Sequence, residues 1–116
     1  MIHEGQVVLF RFPQTDQAAG KMRPALVVRK ALGSYEDWLI CMISSRSFQC
    51  VENFDELITE EDSDFPLSGL KCASVVRISR LAVVECSVLH GAIGVVSEER
   101  LLRIQKKISE WILPDQ

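Results

Sequence analysis

Residues 90 to 114 read HGAIGVVSEERLLRIQKKISEWILP, and in that stretch the chain changes its period. His90 to Val96 is a short β-pattern with two glycines, where a bulge or tight bend is expected. From Ser97 onward, Leu101, Ile104, Ile108 and Trp111/Ile112 recur at helical spacing and fall on one face. Ser97 is suited to cap the helix, because its hydroxyl can accept from a free first-turn N–H. Glu98 and Glu99 complement the positive end of the helix dipole. Lys106 and Lys107 sit toward the other end, and Pro114 stops it. This is the one amphipathic helix in the pattern, and it comes last. A single helix cannot supply the crossovers of a parallel sheet.

The segments before it are short and β-like. Gln6 to Phe12 (QVVLFRF) places Val7, Leu9 and Arg11 on one face and Val8, Phe10 and Phe12 on the other. Pro13 ends that run, and Gln14 to Met22 is polar and aperiodic, hence a loop. Pro24 can sit only at a strand start or edge, so Ala25 to Arg29 (ALVVR) begins a strand just after it. Trp38 to Ile43 (WLICMI) is continuously apolar, as a strand buried on both faces is. A strand is expected around Glu56 to Glu60, then a loop with a helical turn over Glu61 to Gly69. Ser74 to Ile78 and Leu81 to Glu85 read as two strands or one bent one. The expected fold is five to seven short strands and a C-terminal helix: one domain over residues 1–116, mainly β, built as a small barrel that the helix caps.

Bulk properties agree with one globular domain. The 116 residues are 47% hydrophobic and 25% charged, the balance of a chain that can bury one core. The cysteines Cys41, Cys50, Cys72 and Cys86 form no Cys-x-x-Cys pair, and neither His3 nor His90 completes a zinc set. Free thiols in a reducing compartment are therefore expected, with Cys41 and Cys86 buried as small hydrophobes. The opening Met-Ile-His-Glu-Gly has no basic region followed by an apolar stretch, and no apolar run approaches the ~20 residues that span a bilayer. A cytoplasmic protein that avoids membranes is the expectation.

The net charge of −3 argues against a general nucleic-acid binder, yet the charge is unevenly spread. Five basic residues and one acid lie between Arg11 and Lys30, while Glu52 to Asp64 holds seven acids and no base. Either this is an ordinary mixed surface, or one face is basic enough to hold a polyanion.

Two motifs carry chemistry. In Lys21-Met22-Arg23-Pro24, the residue before proline is pushed toward extended geometry, so Arg23 stands at a loop-to-strand junction. Held there, its planar fork can meet a phosphate; the plainer alternative is a strand-end arginine paired with a surface carboxylate. Ser44-Ser45-Arg46 follows the WLICMI strand, whose rigid end can aim a hydroxyl into a cleft, or simply use serine to end the strand. The chain has no phosphate-binding glycine loop, nucleophile elbow or dinucleotide fingerprint.

Taken in order, Gly5-Gln6-Val7-Val8-Leu9, Phe12-Pro13-Gln14-Thr15-Asp16, Arg23-Pro24-Ala25-Leu26-Val27-Val28, Ile43-Ser44-Ser45-Arg46, Gly69-Leu70-Lys71 and Ser74-Val75-Val76-Arg77 resemble the MazF/PemK toxin ribonucleases along nearly the whole chain. The resemblance implies an SH3-like barrel and a metal-free, sequence-preferring endoribonuclease with no cofactor. It makes Arg23 and Ser44 the catalytic pair, with serine where threonine is frequent and Arg46 where some members carry glutamine. In this scheme the 2′-hydroxyl of single-stranded RNA attacks the adjacent phosphorus, leaving a 2′,3′-cyclic phosphate and a 5′-hydroxyl. Lys21, Ser45, Arg46, Lys71 and Arg77 are candidate RNA contacts, and Phe12 or Trp38 a candidate base-stacking ring. A homodimer with RNA between subunits and a cognate antitoxin over Arg23 are also implied. The competing reading is a non-catalytic or CcdB-like barrel that acts through protein contacts, and a third is a plain SH3-like adaptor. Retention of both Arg23 and Ser44 favours the ribonuclease.

Overall fold

The computed structural model describes residues 1–11 and 21–114. Among these residues, six strands form one antiparallel sheet: β1 (Gln6–Phe10), β2 (Arg23–Lys30), β3 (Asp37–Ser44), β4 (Glu56–Ile58), β5 (Ser74–Glu85) and β6 (Leu89–Val95). Among the described residues, two α-helices accompany it, the single turn α1 (Phe65–Ser68) and the C-terminal α2 (Glu98–Ile112). The strand order is β4-β5-β3-β2-β1-β6. Of the loop expected over Gln14 to Met22, residues 14–20 lie outside the described residues, as does Phe12, while Lys21 and Met22 precede β2 in irregular structure.

Side chains that alternate across a strand supply two cores, one on each face of the sheet. Val7, Leu26, Val28, Cys41, Ile43, Val76 and Ile78 gather on one face and meet Ile104 and Ile108 of α2. Val8, Phe10, Ala25, Val27, Trp38 and Ile40 gather on the other. Burying each large aliphatic side chain contributes about 1.5–3 kcal/mol, so both faces help hold the fold.

β5 serves both cores because it bends. Its partner register on β3 runs Cys41 to Leu81 and then Met42 to Arg77, so Ile78, Ser79 and Arg80 bulge out between. Val76 ahead of the bulge, and Ile78 at its start, enter the first core; after it, Ala82 and Val84 cover the second. One bent strand is thus the outcome of the two alternatives left by the sequence.

The barrel expectation holds as a curled sheet with a C-terminal helix, with one refinement. The described strands do not pair into a closed ring, since β4 and β6 remain the edges. The β6 edge meets α1 instead, backbone against backbone. A Cβ on Gly94 would lie 2.2 Å from the Leu67 carbonyl oxygen, and one on Gly69 would lie 2.1 Å from that of Ile93. Only glycine permits an approach this close, and Gly69 also has a positive φ of 75°. The bulges expected in β6 occur where it pairs with β1 around Val8.

α2 starts as its sequence predicts, with the Ser97 hydroxyl accepting from the Arg100 N–H at 3.1 Å. Its apolar stripe is shorter than the spacing suggested. Ile104 and Ile108 are buried, whereas Trp111 and Ile112 are 49% and 66% exposed. Trp111 instead meets the Phe54 ring edge-on, with centroids 5.8 Å apart.

The acidic stretch finds its partners on the same helix. Arg100 donates to Asp64 at 2.8 Å through Nε and to Glu56 at 3.0 Å through Nη1. Arg103 and Lys107 each donate to Glu56 at 3.1 Å. Burial alone would raise the Glu56 and Asp64 carboxyls, but the hydrogen bonds to Glu56 from Arg103 and Lys107, and to Asp64 from Arg100, outweigh it. Both acids are held below their ordinary range. Glu56, Asp62 and Asp64 of the acidic stretch are therefore paired with basic side chains of α2.

Candidate active site

The site is built at the C-terminal end of β3. Ala25 pairs with Met42 across β2 and β3, and the same register carried two residues further along both strands sets Arg23 opposite Ser44. On its other side Arg23 pairs with Phe10 of β1. Phe10 is buried in the second core, so the arginine rises from the edge of a packed layer into solvent.

β5 brings the third component. Arg77 pairs with Met42, the neighbour of Ser44 on the same strand face, and Val75 pairs with Ser44 itself. Arg23, Ser44, Arg46 and Arg77 together line a cleft of about 440 Å³, with Met42 and Ile43 beneath them. Gln49 and Arg80 complete its wall. Four of the predicted residues thus converge. Lys21, Ser45 and Lys71 are exposed and line none of this cleft.

Hydrogen bonds fix the cleft wall. The Ser44 hydroxyl donates to Gln49 Oε1 at 3.3 Å and accepts from the Arg46 N–H at 3.0 Å. Arg77 Nη1 donates to the same Gln49 oxygen at 2.9 Å. Behind Arg77 lies the buried Asp55 carboxylate, 3.7 Å from Nε, which also accepts from the Val51 and Ile78 N–H groups at 2.9 Å. Asp55 offsets part of the arginine's charge without entering the cleft.

The electrostatic result is a cationic hollow. Among the described residues, four guanidinium groups line it and no carboxylate does. Among the described residues, no acid pairs with Arg23, Arg46 or Arg80. Guanidinium forks match phosphate oxygens in geometry as well as charge. A larger hollow of about 570 Å³ lies at the opposite end of β3, among Tyr35, Glu36, Asp37 and Glu85, where carboxylates would repel a polyanion.

Other chemistries find less support. Among the described residues, no three His, Cys, Asp or Glu side chains gather in a group that could hold a metal. Burial pushes up both the Cys41 and the Cys50 thiol, with the Asp55 charge adding to the effect, so neither is poised as a thiolate. All four cysteines are free, but Cys86 is only half-buried and Cys72 is exposed. Trp38 is 5% exposed and lies under the Lys30 ammonium at 5.9 Å, so it is a core residue and no stacking ring. Among the described residues, no helix is long and apolar enough to cross a membrane.

Sequence reasoning missed Gln49 and Arg80. Arg80 reaches the cleft only because of the β5 bulge, which no glycine or proline announces. For Gln49 the available signal was its place just after the Ser44-Ser45-Arg46 turn.

Comparison with known proteins matches this geometry to a known fold. No curated protein matches the chain. Solved structures do. The toxin MazF-mt6 of Mycobacterium tuberculosis superposes with a TM-score of 0.65 at 14% identity, over 96% of this chain and 99% of that one. The MazE–MazF structure from Deinococcus radiodurans gives 0.65 at 17% identity, over 97% and 95%. An endoribonuclease in complex with its cognate antitoxin, from a mycobacterial species, gives 0.68 at 15% identity, over the full length of both chains. At such identities the likeness is one of fold. The family model reaches further: residues 3–112 match the PemK-like, MazF-like toxins of type II toxin–antitoxin systems, and the chain belongs to that family.

Proposed function

We propose that this chain is an endoribonuclease toxin that cuts single-stranded RNA without a metal, using the RNA's own 2′-hydroxyl as nucleophile. The observation that carries the reading is the placement of Arg23 across from Ser44 at the mouth of a cleft walled by four arginines. That arrangement suits a phosphodiester, which needs alignment and charge stabilisation rather than a nucleophile from the protein.

Arg23 binds the non-bridging oxygens and stabilises the charge that grows on them at the pentacoordinate stage. A guanidinium pKa above ~12 makes it an electrostatic group, not a proton donor. Ser44 has its proton turned toward Gln49 and one lone pair toward the Arg46 N–H, which leaves a lone pair to accept from the 2′-hydroxyl. As the P–O2′ bond forms and the P–O5′ bond breaks, the 2′ proton passes to solvent water and water protonates the departing 5′-oxygen. Arg46 and Arg77 hold the backbone of the bound strand from the cleft wall. Lys21, Ser45 and Lys71, exposed outside the cleft, touch flanking nucleotides. The toxin works in the cytoplasm as a homodimer with RNA between subunits. An acidic segment of a cognate antitoxin, laid over Arg23 and its neighbours, silences it.

The test is product analysis. The purified protein is incubated with a long single-stranded RNA in excess EDTA, and the new ends are identified by mass. Fragments ending in 2′,3′-cyclic phosphate and beginning with 5′-hydroxyl are expected. RNA left intact, or cleaved only after a divalent ion is restored, would refute the proposal.

A further inference from the structure

We propose that Phe48 is a stacking platform for an unpaired base of the nucleic acid whose phosphate the arginine cleft holds, an inference that rests on the RNA-cleaving reading above. Phe48 is 82% exposed at the centre of a one-turn 3-10 helix, Ser47–Gln49. Its neighbours in sequence, Arg46 and Gln49, both line the cleft. Phe48 does not itself line the cleft, but the short helix that carries it is bounded by two residues that do.

The ring is presented on a fixed backbone. The Ser47 N–H donates to the Ser45 carbonyl at 3.0 Å, the Gln49 N–H to Arg46 at 2.9 Å and the Cys50 N–H to Ser47 at 3.0 Å. The Arg46 N–H is held by the Ser44 hydroxyl, and the Gln49 side chain by Ser44 and Arg77. A turn pinned at both ends and carrying a bare aromatic face loses little entropy when a base lies against it.

Other exposed rings lack this setting. Tyr35 stands at the acidic end of β3 beside Glu36 and Asp37, and Trp111 is engaged with Phe54. Among the described residues, Phe48 is the exposed ring that lies in sequence between two residues of the arginine cleft, Arg46 and Gln49. Stacking is indifferent to base identity, because every base has a π-face, so this contact adds affinity for single strands over duplexes.

The experiment uses the full chain and a single-stranded 2′-O-methyl oligoribonucleotide of mixed sequence, whose blocked hydroxyls prevent cleavage. Binding is measured by fluorescence anisotropy. Phe48→Ala is expected to weaken binding roughly ten-fold, within the range that base–aromatic stacking provides. Phe48→Trp is expected to bind within about two-fold of the parent, with its added indole emission quenched as the base stacks. Affinity for the corresponding duplex should not respond to either change. Unaltered single-strand affinity in Phe48→Ala would overturn the proposal, as would unquenched emission at saturation or a parent protein that does not bind the oligomer. Because this readout involves no cleavage, a protein that binds through Phe48 yet cuts no RNA would refute the nuclease reading while leaving the stacking site in place.

Discussion

Arg23 and Ser44 line one cleft at the end of the β2–β3 pair, each two residues beyond the Ala25–Met42 rung. One comes from the residue before Pro24 and the other from the end of an apolar strand, and the antiparallel register alone brings them together.

Gln49 determines how Ser44 is oriented. A guanidinium only donates, so the 2.9 Å contact with Arg77 requires the amide oxygen of Gln49 to face it, and the Ser44 hydroxyl must then donate to the same oxygen. Gln49→Ala should slow single-turnover RNA cleavage roughly 10- to 100-fold by releasing both groups. In a Ser44→Ala background the same change should cost much less, giving a coupling of about 0.5–3 kcal/mol. Fully additive losses would show that Gln49 acts independently of Ser44.

The buried Arg100 joins α2 to the acidic segment, with its side chain 6% exposed and those of Asp64 and Glu56 nearly as enclosed. Arg100→Met would leave Asp64 without its guanidinium partner in a buried site. Such a loss costs about 3–5 kcal/mol, which urea denaturation should register as a large fall in midpoint. A change below about 1 kcal/mol would mean that the network contributes little to the fold.

The same carboxylates make stability depend on pH. Glu56 and Asp64 titrate below their ordinary values in the folded chain, so the unfolded chain takes up protons first as pH falls. Their contribution is fully present above the unfolded values near pH ~4 and is lost as the pH drops from there through the depressed folded values. Urea midpoints measured from about pH 6 down to about pH 3 should be flat at first and then decline. In Asp64→Asn the decline should be shallower, and an identical slope would dissociate Asp64 from the effect.

Much of this was legible in the sequence, for reasons that differ by element. The start of α2 was readable because Ser97, Glu98 and Glu99 act within one turn. Arg23 and Ser44 were readable because β2 and β3 are consecutive strands, whose pairing follows from adjacency. Arg80 was not, since it depends on a bulge in β5 set by pairing with a strand that is not its neighbour in sequence. The acidic stretch was opaque for a related reason: its counter-charges, Arg100, Arg103 and Lys107, lie on a helix more than thirty residues away. Their spacing along α2 forms a basic stripe beside the apolar one, a signal that hydrophobic periodicity alone passes over.

The most direct test of the central claim is the single-turnover rate of Arg23→Ala at saturating RNA in EDTA. Arg23 is exposed and belongs to no core, so the variant should unfold at the parental urea concentration. Its cleavage rate should fall on the order of 10²–10³-fold, the usual consequence of losing one oxyanion-stabilising group. A folded Arg23→Ala protein that cuts at the parental rate would contradict the account.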